Sequence, residues 1–248
     1  MTGFEPATPC SRRGSWSPAG AAGRLGITDE SLIDGLVMAL KDSEPTVVRL
    51  SIQALGKVGS KAGIDELITV VNSGPSRLVN EAIEALGLIG DPRGTKPILD
   101  ALTIDTKETA IQALGKIGDP RAFDPLIETF TAGVNGFVEW YIVAALRDIG
   151  ARERVYELMA SHDNPEVRRM LGRVAETWWP DEAAVGALVT AMSDESAEVR
   201  SGAAFKLTDY NLPEALHDTV KSALQKGLDD ENEDVRHWCQ ETLDEWGT

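Results

Sequence analysis

The sequence predicts an all-α protein, a solenoid of about seven antiparallel helix pairs filling residues 28–248. Three observations predict it. A short phrase recurs at near-constant spacing, each period holds two apolar segments of helical rather than alternating spacing, and each early period closes on a glycine.

The phrase is ALGKVG at Ala54 to Gly59. It returns as ALGLIG at Ala85 to Gly90 and ALGKIG at Ala113 to Gly118, and a fourth copy, ALRDIG, ends at Gly150. Continuing the register gives one repeat domain with repeats ending near 59, 90, 118, 150, 179, 211 and 247. The last three copies are degenerate. They are anchored by Val167-Arg168, Val199-Arg200 and Val235-Arg236, whose valines stand eight residues before Ala175, Leu207 and Leu243.

Within a period, Leu67, Ile68, Val70 and Val71 mark a first helix, and Leu78, Ala82, Ala85, Leu86 and Ile89 mark a second. The second helix stops at glycine, often before Asp-Pro, as in Gly90-Asp91-Pro92 and Gly118-Asp119-Pro120. Glycine takes the left-handed cap, and a proline at the start of the next helix loses no needed hydrogen bond. Small residues form one column (Ala54, Ala85, Ala113, Ala145) and leucines the next (Leu55, Leu86, Leu114, Leu146), as close stacking of repeats requires.

The ALGxIGDPR phrase at Ala85 to Arg93 and Ala113 to Arg121 resembles the short HEAT-like repeat that also occurs in phycobilin lyase subunits. The resemblance covers roughly residues 29–248. It implies a right-handed superhelix with first helices on the convex face, second helices on the concave face, and a protein-binding role. The phrase specifies packing, so it does not by itself fix a function.

Residues 1–27 are rich in Gly, Pro, Ser and Ala without periodicity and are predicted to be disordered, the fold beginning near Thr28. Phe4-Glu5-Pro6 can be encoded by TTCGAACC, which resembles the T-arm of a transfer RNA gene. The stretch is therefore expected to be either a gene-model artefact or a genuine flexible tail.

A formal charge of −16 opposes binding to a phosphate backbone, whose affinity comes from Lys and Arg displacing counterions. The acids gather at one end: residues 180–248 hold sixteen acids against five bases, or −11. Repeat five alone offers a local positive strip, through Arg152, Arg154, Arg168, Arg169 and Arg173. A glycosylase-like reading, which needs a basic groove, is set aside on charge. The two cysteines, Cys10 and Cys239, can build neither a disulfide framework nor a multi-cysteine metal site. With no apolar run of membrane-spanning length and no secretory h-region, a cytoplasmic location is expected, with no membrane role.

No catalytic residue, metal site or cofactor is assigned. His162 and His217 lack a helical partner at i, i+4 spacing, and His237 and Cys239, at i, i+2, point to different faces of a helix. A di-iron hydroxylase family of HEAT repeats implies paired His-Glu ligands. Here the histidines precede Asp163, Asp218 and Trp238, so that motif is missing. The acidic run Asp229, Asp230, Glu231, Glu233 and Asp234 reads as a solvated loop, because its spacing lacks the Gly and terminal Glu of a calcium loop.

The register places Arg49, Gln53, Asn80, Glu84, Glu108 and Gln112 on the concave face of the early repeats, an ordinary polar surface. In the later repeats the equivalent columns hold Trp140, Tyr141, Arg169, Met170, Arg173, Phe205, His237 and Trp238. Aromatics and Arg are the residues enriched at interface hot spots, so these eight are the predicted surface for another protein or peptide. Exposed rings beside Arg169 and Arg173 would suit an acidic-aromatic peptide or an anionic ligand. Trp178, Trp179 and Trp246 fall in packing columns and are expected between repeats or as a cap. The alternative that the resemblance implies is a chromophore-binding or chromophore-attaching protein. Arg169 and Arg173 would then hold tetrapyrrole propionates, and Trp140 and Tyr141 would stack on the rings.

Overall fold

The computed structural model describes residues 30–103, 105–178, 181–208 and 212–246. The expectations for residues 1–27 and for Trp179 lie outside them. The described residues form fourteen α-helices and no strand, stacked as seven pairs in an α-solenoid. The pairs are α1 (Glu30–Ala39) with α2 (Pro45–Val58), α3 (Ile64–Ser73) with α4 (Ser76–Ile89), α5 (Thr95–Asp100) with α6 (Lys107–Ile117), and α7 (Phe123–Thr131) with α8 (Gly136–Ile149). They continue as α9 (Arg152–Ser161) with α10 (Pro165–Glu176), α11 (Glu182–Ala191) with α12 (Ala197–Lys206), and α13 (Glu214–Gly227) with α14 (Glu233–Glu245). Among the described residues no helix is long and apolar enough to cross a membrane.

The punctuation seen in the sequence is local chemistry in the fold. Gly59, Gly90, Gly118 and Gly150 end α2, α4, α6 and α8 with φ of 69°, 69°, 68° and 72°, a region that L side chains avoid. After the cap the chain makes one more turn than expected: Pro92 and Pro120 open short 3₁₀ turns, Pro92–Gly94 and Pro120–Ala122, ahead of α5 and α7. Several second helices start on side-chain caps. Asn135 Oδ1 accepts from the Val138 amide at 3.0 Å, and Asn164 Oδ1 from the Glu166 amide at 2.9 Å.

The second helices stack as a continuous layer from α2 to α14, and their spacing changes along it. The leucine column is buried, and the glycine following it in the phrase lets backbones touch. A Cβ built on Gly56 would meet Ala85 Cα at 2.8 Å. Gly87 against Ala113 and Gly115 against Ala145 give the same 2.8 Å. From repeat four onward Arg147 and Glu176 hold this position, so α8, α10 and the helices after them cannot approach as closely.

Loops are stapled by two different devices. In the early repeats the inter-repeat Asp-Pro-Arg turn does the work. Asp119 accepts from the Arg121 amide at 3.0 Å and from Thr95 Oγ1 at 2.8 Å, while Arg121 Nη2 reaches back to the Pro92 carbonyl at 2.8 Å. Asp91 repeats the pattern with the Arg93 amide and guanidinium and with Lys61.

In the later repeats the staple moves to the loop inside each pair. Arg168 Nε and Nη2 hold Asp194 of the next repeat at 2.7 and 2.8 Å, while Nη1 holds the His162 carbonyl of its own loop at 2.6 Å. Arg200 does the same one repeat on, with Asp230 at 2.8 and 3.0 Å and the Asp194 carbonyl at 2.9 Å. Asp230, expected in a solvated acidic loop, is therefore a partly buried structural partner. The chain folds it inward because a fork of guanidinium donors neutralises it there.

These carboxylates tie stability to pH. The Arg93 amide and guanidinium hold the Asp91 carboxyl at about 2, and the Arg121 guanidinium and amide hold that of Asp119 at about 2. A carboxyl depressed in the fold stabilises it fully above its unfolded value near 3.8, and that contribution is lost as pH falls through about 2. Urea midpoints should therefore fall steeply from pH 5 to pH 2. Asp119→Asn should be less stable than the parent at pH 7 and should lose less over that interval; parallel curves for the two proteins would refute this assignment.

Candidate functional site

The face built by α8, α10, α12 and α14 carries the sequence-predicted residues, and it sorts them into three groups. On α8, Phe137 and Trp140 stand 67% and 57% exposed. Both pack edge-on to Tyr141, with ring centroids 5.5 and 5.2 Å away. Spacings of three and four residues put the three rings on one side of the first turns of α8. Val138 and Ile142 of the same helix are buried in the core. Phe137 was missed in the sequence because it precedes the repeat's anchoring valine position. Its i, i+3 and i, i+4 spacing to Trp140 and Tyr141 was the signal available.

On α12 and α14, Phe205 (44% exposed) meets Trp238 at 4.7 Å with ring planes inclined by 64°, and His237 leans on Trp238 at 4.9 Å. Lys206 Nζ lies over the Phe205 ring at 4.8 Å and pairs with Glu176 at 2.7 Å.

Between the two aromatic groups runs α10, where the structure corrects the sequence reading twice. Met170 is not on the surface: it is 0% exposed and part of the core. The degenerate repeat turns this column inward, in contrast to half-buried Tyr141 and Trp238 at the equivalent positions.

The predicted positive strip is also neutralised. Arg173 Nη1 donates to Glu139 at 2.6 Å, and Arg169 pairs with Glu166 at 2.9 Å and Glu139 at 3.5 Å. Arg168 is buried in its staple, Arg152 pairs with Asp181 at 2.7 Å, and Arg154 pairs with Glu157 at 2.9 Å. Glu139, which only the fold brings beside α10, pairs with both Arg169 and Arg173.

The remaining candidates have structural partners. Trp178 packs edge-on to Tyr156 at 6.0 Å under the Arg152 guanidinium, and Trp246 stacks on His217 at 5.1 Å. His217 Nε2 also lies 2.9 Å from the Leu212 carbonyl. His162 Nδ1 accepts from the Asn164 amide at 3.0 Å. Burial pushes the Cys239 thiol up to about 11, away from the thiolate that nucleophilic chemistry needs, while His237 faces solvent and pairs with Glu241 at 3.6 Å. Among the described residues no group of three or more His, Cys, Asp and Glu is placed to hold a metal ion.

The profile of HEAT repeats matches residues 19–87, 33–108, 81–147 and 153–244, and the chain belongs to that family. No curated protein matches it in sequence. Among solved structures it is similar to the complex of CpcE and CpcF of phycocyanin lyase from Nostoc sp., at 16% identity and TM-score 0.48, covering 98% of this chain and 99% of that one. It is also similar to human deoxyhypusine hydroxylase in complex with glycerol, at 20% identity and TM-score 0.41, covering 93% and 99%. An engineered protein gives 20% identity and TM-score 0.43, covering 91% and 72%. Likenesses at this level carry no argument about activity.

Proposed function

We propose that this protein is a non-enzymatic interaction module that holds another protein or peptide on the second-helix face of repeats four to seven. The observation that carries this reading is the exposed aromatic group of α8. Phe137 and Trp140 keep most of their area in water although Tyr141 packs edge-on to both. Such area is costly to leave wet and becomes binding energy when a partner covers it. Rings ordered by neighbours also lose little entropy on binding.

A photo-reactive residue at Trp140 should crosslink to a partner in native cell extract, with one at Glu84 on the early repeats as control. For the partner so identified, Trp140→Ala should weaken binding by about 30-fold or more, a hot-spot loss of about 2 kcal/mol. Equal crosslinking at Glu84, or unchanged affinity for Trp140→Ala, would move the function off this face. A chromophore-attaching role would need Arg169 and Arg173 free for propionates; both are engaged by Glu139, so that reading draws no support from the site.

A further inference from the structure

We propose that the groove between α12 and α14 is a cation pocket that seats a lysine or arginine side chain of a basic segment in the partner protein. The proposal rests on the interaction reading above and assigns the chemistry of one of its subsites. The groove has a volume of about 380 Å³, at the low end of ligand clefts. Phe205 and Trp238, which meet edge-on at 64°, both line it. Glu198 and Asp234, each in the first turn of its helix, line it as well. Gly202 is also part of the lining and has only Arg169 Cγ, at 4.0 Å, near the place of a Cβ.

Charge selects the occupant. Glu198 accepts from Ser196 Oγ at 2.7 Å and from its own amide and feels the charge of Arg200, but Arg200 spends its guanidinium on Asp230, and no Lys or Arg ion pair reaches Glu198 or Asp234 among the described residues. The bases nearby are spent elsewhere: Arg200 on Asp230, Lys206 on Glu176, and Arg236 on the Asp230 and Glu231 carbonyls at 2.7 and 2.9 Å. Glu233, beside Asp234 in the first turn of α14, adds to the negative field, in a stretch of sixteen acids against five bases.

An anionic ligand would be repelled here, and a neutral apolar one would bury carboxylates without compensation. A long cationic side chain meets both demands, with its methylenes against the rings and its charge between rings and carboxylates. The Lys206 ammonium over Phe205 shows the same contact made within the chain.

The test is a titration of the full chain, ¹⁵N-labelled at tryptophan and read at the Trp238 indole N–H. The probes are the capped pentapeptides Gly-Leu-Lys-Leu-Gly and Gly-Leu-norleucine-Leu-Gly. The expected result is a saturable shift with the lysine peptide, at least fivefold weaker binding of the norleucine peptide, and a comparable weakening in Glu198→Gln/Asp234→Asn. Both substitutions lie on exposed side chains, and a thermal melt checks that the double variant is folded.

Equal binding of the two peptides would overturn the cation pocket while leaving the second-helix face as an apolar interface. A lysine peptide that binds the double variant as well as the parent would overturn it too. No saturable shift with either peptide would overturn it without touching the wider reading, which the crosslinking at Trp140 decides separately.

Discussion

Gly87→Ala is expected to lower the stability of the solenoid by about 1–3 kcal/mol, although alanine is the better helix former by about 1 kcal/mol. A Cβ there meets Ala113 Cα and Cβ at 2.8 Å each, so the clash is with the backbone of a neighbouring helix and no side chain can swing away. Relief would require α4 and α6 to separate, opening contacts among leucines that are 0–1% exposed. Gly172 is the control: its nearest atom is Met159 Cε at 4.0 Å, so Gly172→Ala should raise stability by up to about 1 kcal/mol. Urea unfolding of both variants checks the sign. If the two substitutions change the midpoint in the same direction, the close approach of the early helices is not what the phrase encodes.

The second large effect is expected at the later staple. Asp194→Ala should cost about 3 kcal/mol, because it takes the 9%-exposed carboxylate from the Arg168 guanidinium, 6% exposed, and leaves that cation only the solvent-exposed Glu195 at 3.2 Å as an acidic partner. The loss should be local in a repeat array, where each unit contacts only its neighbours. Hydrogen exchange should therefore speed up in α9 to α12 and spare α2 to α6. Adding Arg168→Met to Asp194→Ala should recover part of the loss, since it removes the buried charge and refills its volume. A double variant less stable than Asp194→Ala alone would mean that the hydrogen bonds from Arg168 to the His162 and Asp163 carbonyls matter more than the ion pair.

Some of this was legible in the sequence for a plain reason: repeat packing depends on residue size and backbone freedom, and both are written one position at a time. The alanine and leucine columns, the glycine caps and the helix pairs all follow from residues within about thirty positions of one another. The Arg–Asp staple was half legible. Val167-Arg168, Val199-Arg200 and Val235-Arg236 repeat visibly, but the carboxylates that Arg168 and Arg200 hold lie in the following repeat, in an acidic stretch where Asp230 looks no different from Asp229.

The site was legible only as a list of residue types. Trp140 and Phe205 are exposed on their second helices, and Tyr141 and Trp238 half-buried beside them. Met170 is wholly buried, where Tyr141 and Trp238 at the equivalent positions are half-buried.

The sequence alone determined that this chain is a HEAT-repeat solenoid, since apolar period and backbone-permissive glycines specify stacking without reference to anything distant. Only the tertiary structure decided the electrostatics of the candidate face. Whether Arg173 is a free cation or a partner of Glu139, thirty-four residues away, depends on which helices lie side by side. Charge acts through space: the arginines that the sequence groups in repeat five are paired ions in the fold, while Glu198 and Asp234, beside Phe205 and Trp238, stand exposed outside any Lys or Arg ion pair among the described residues.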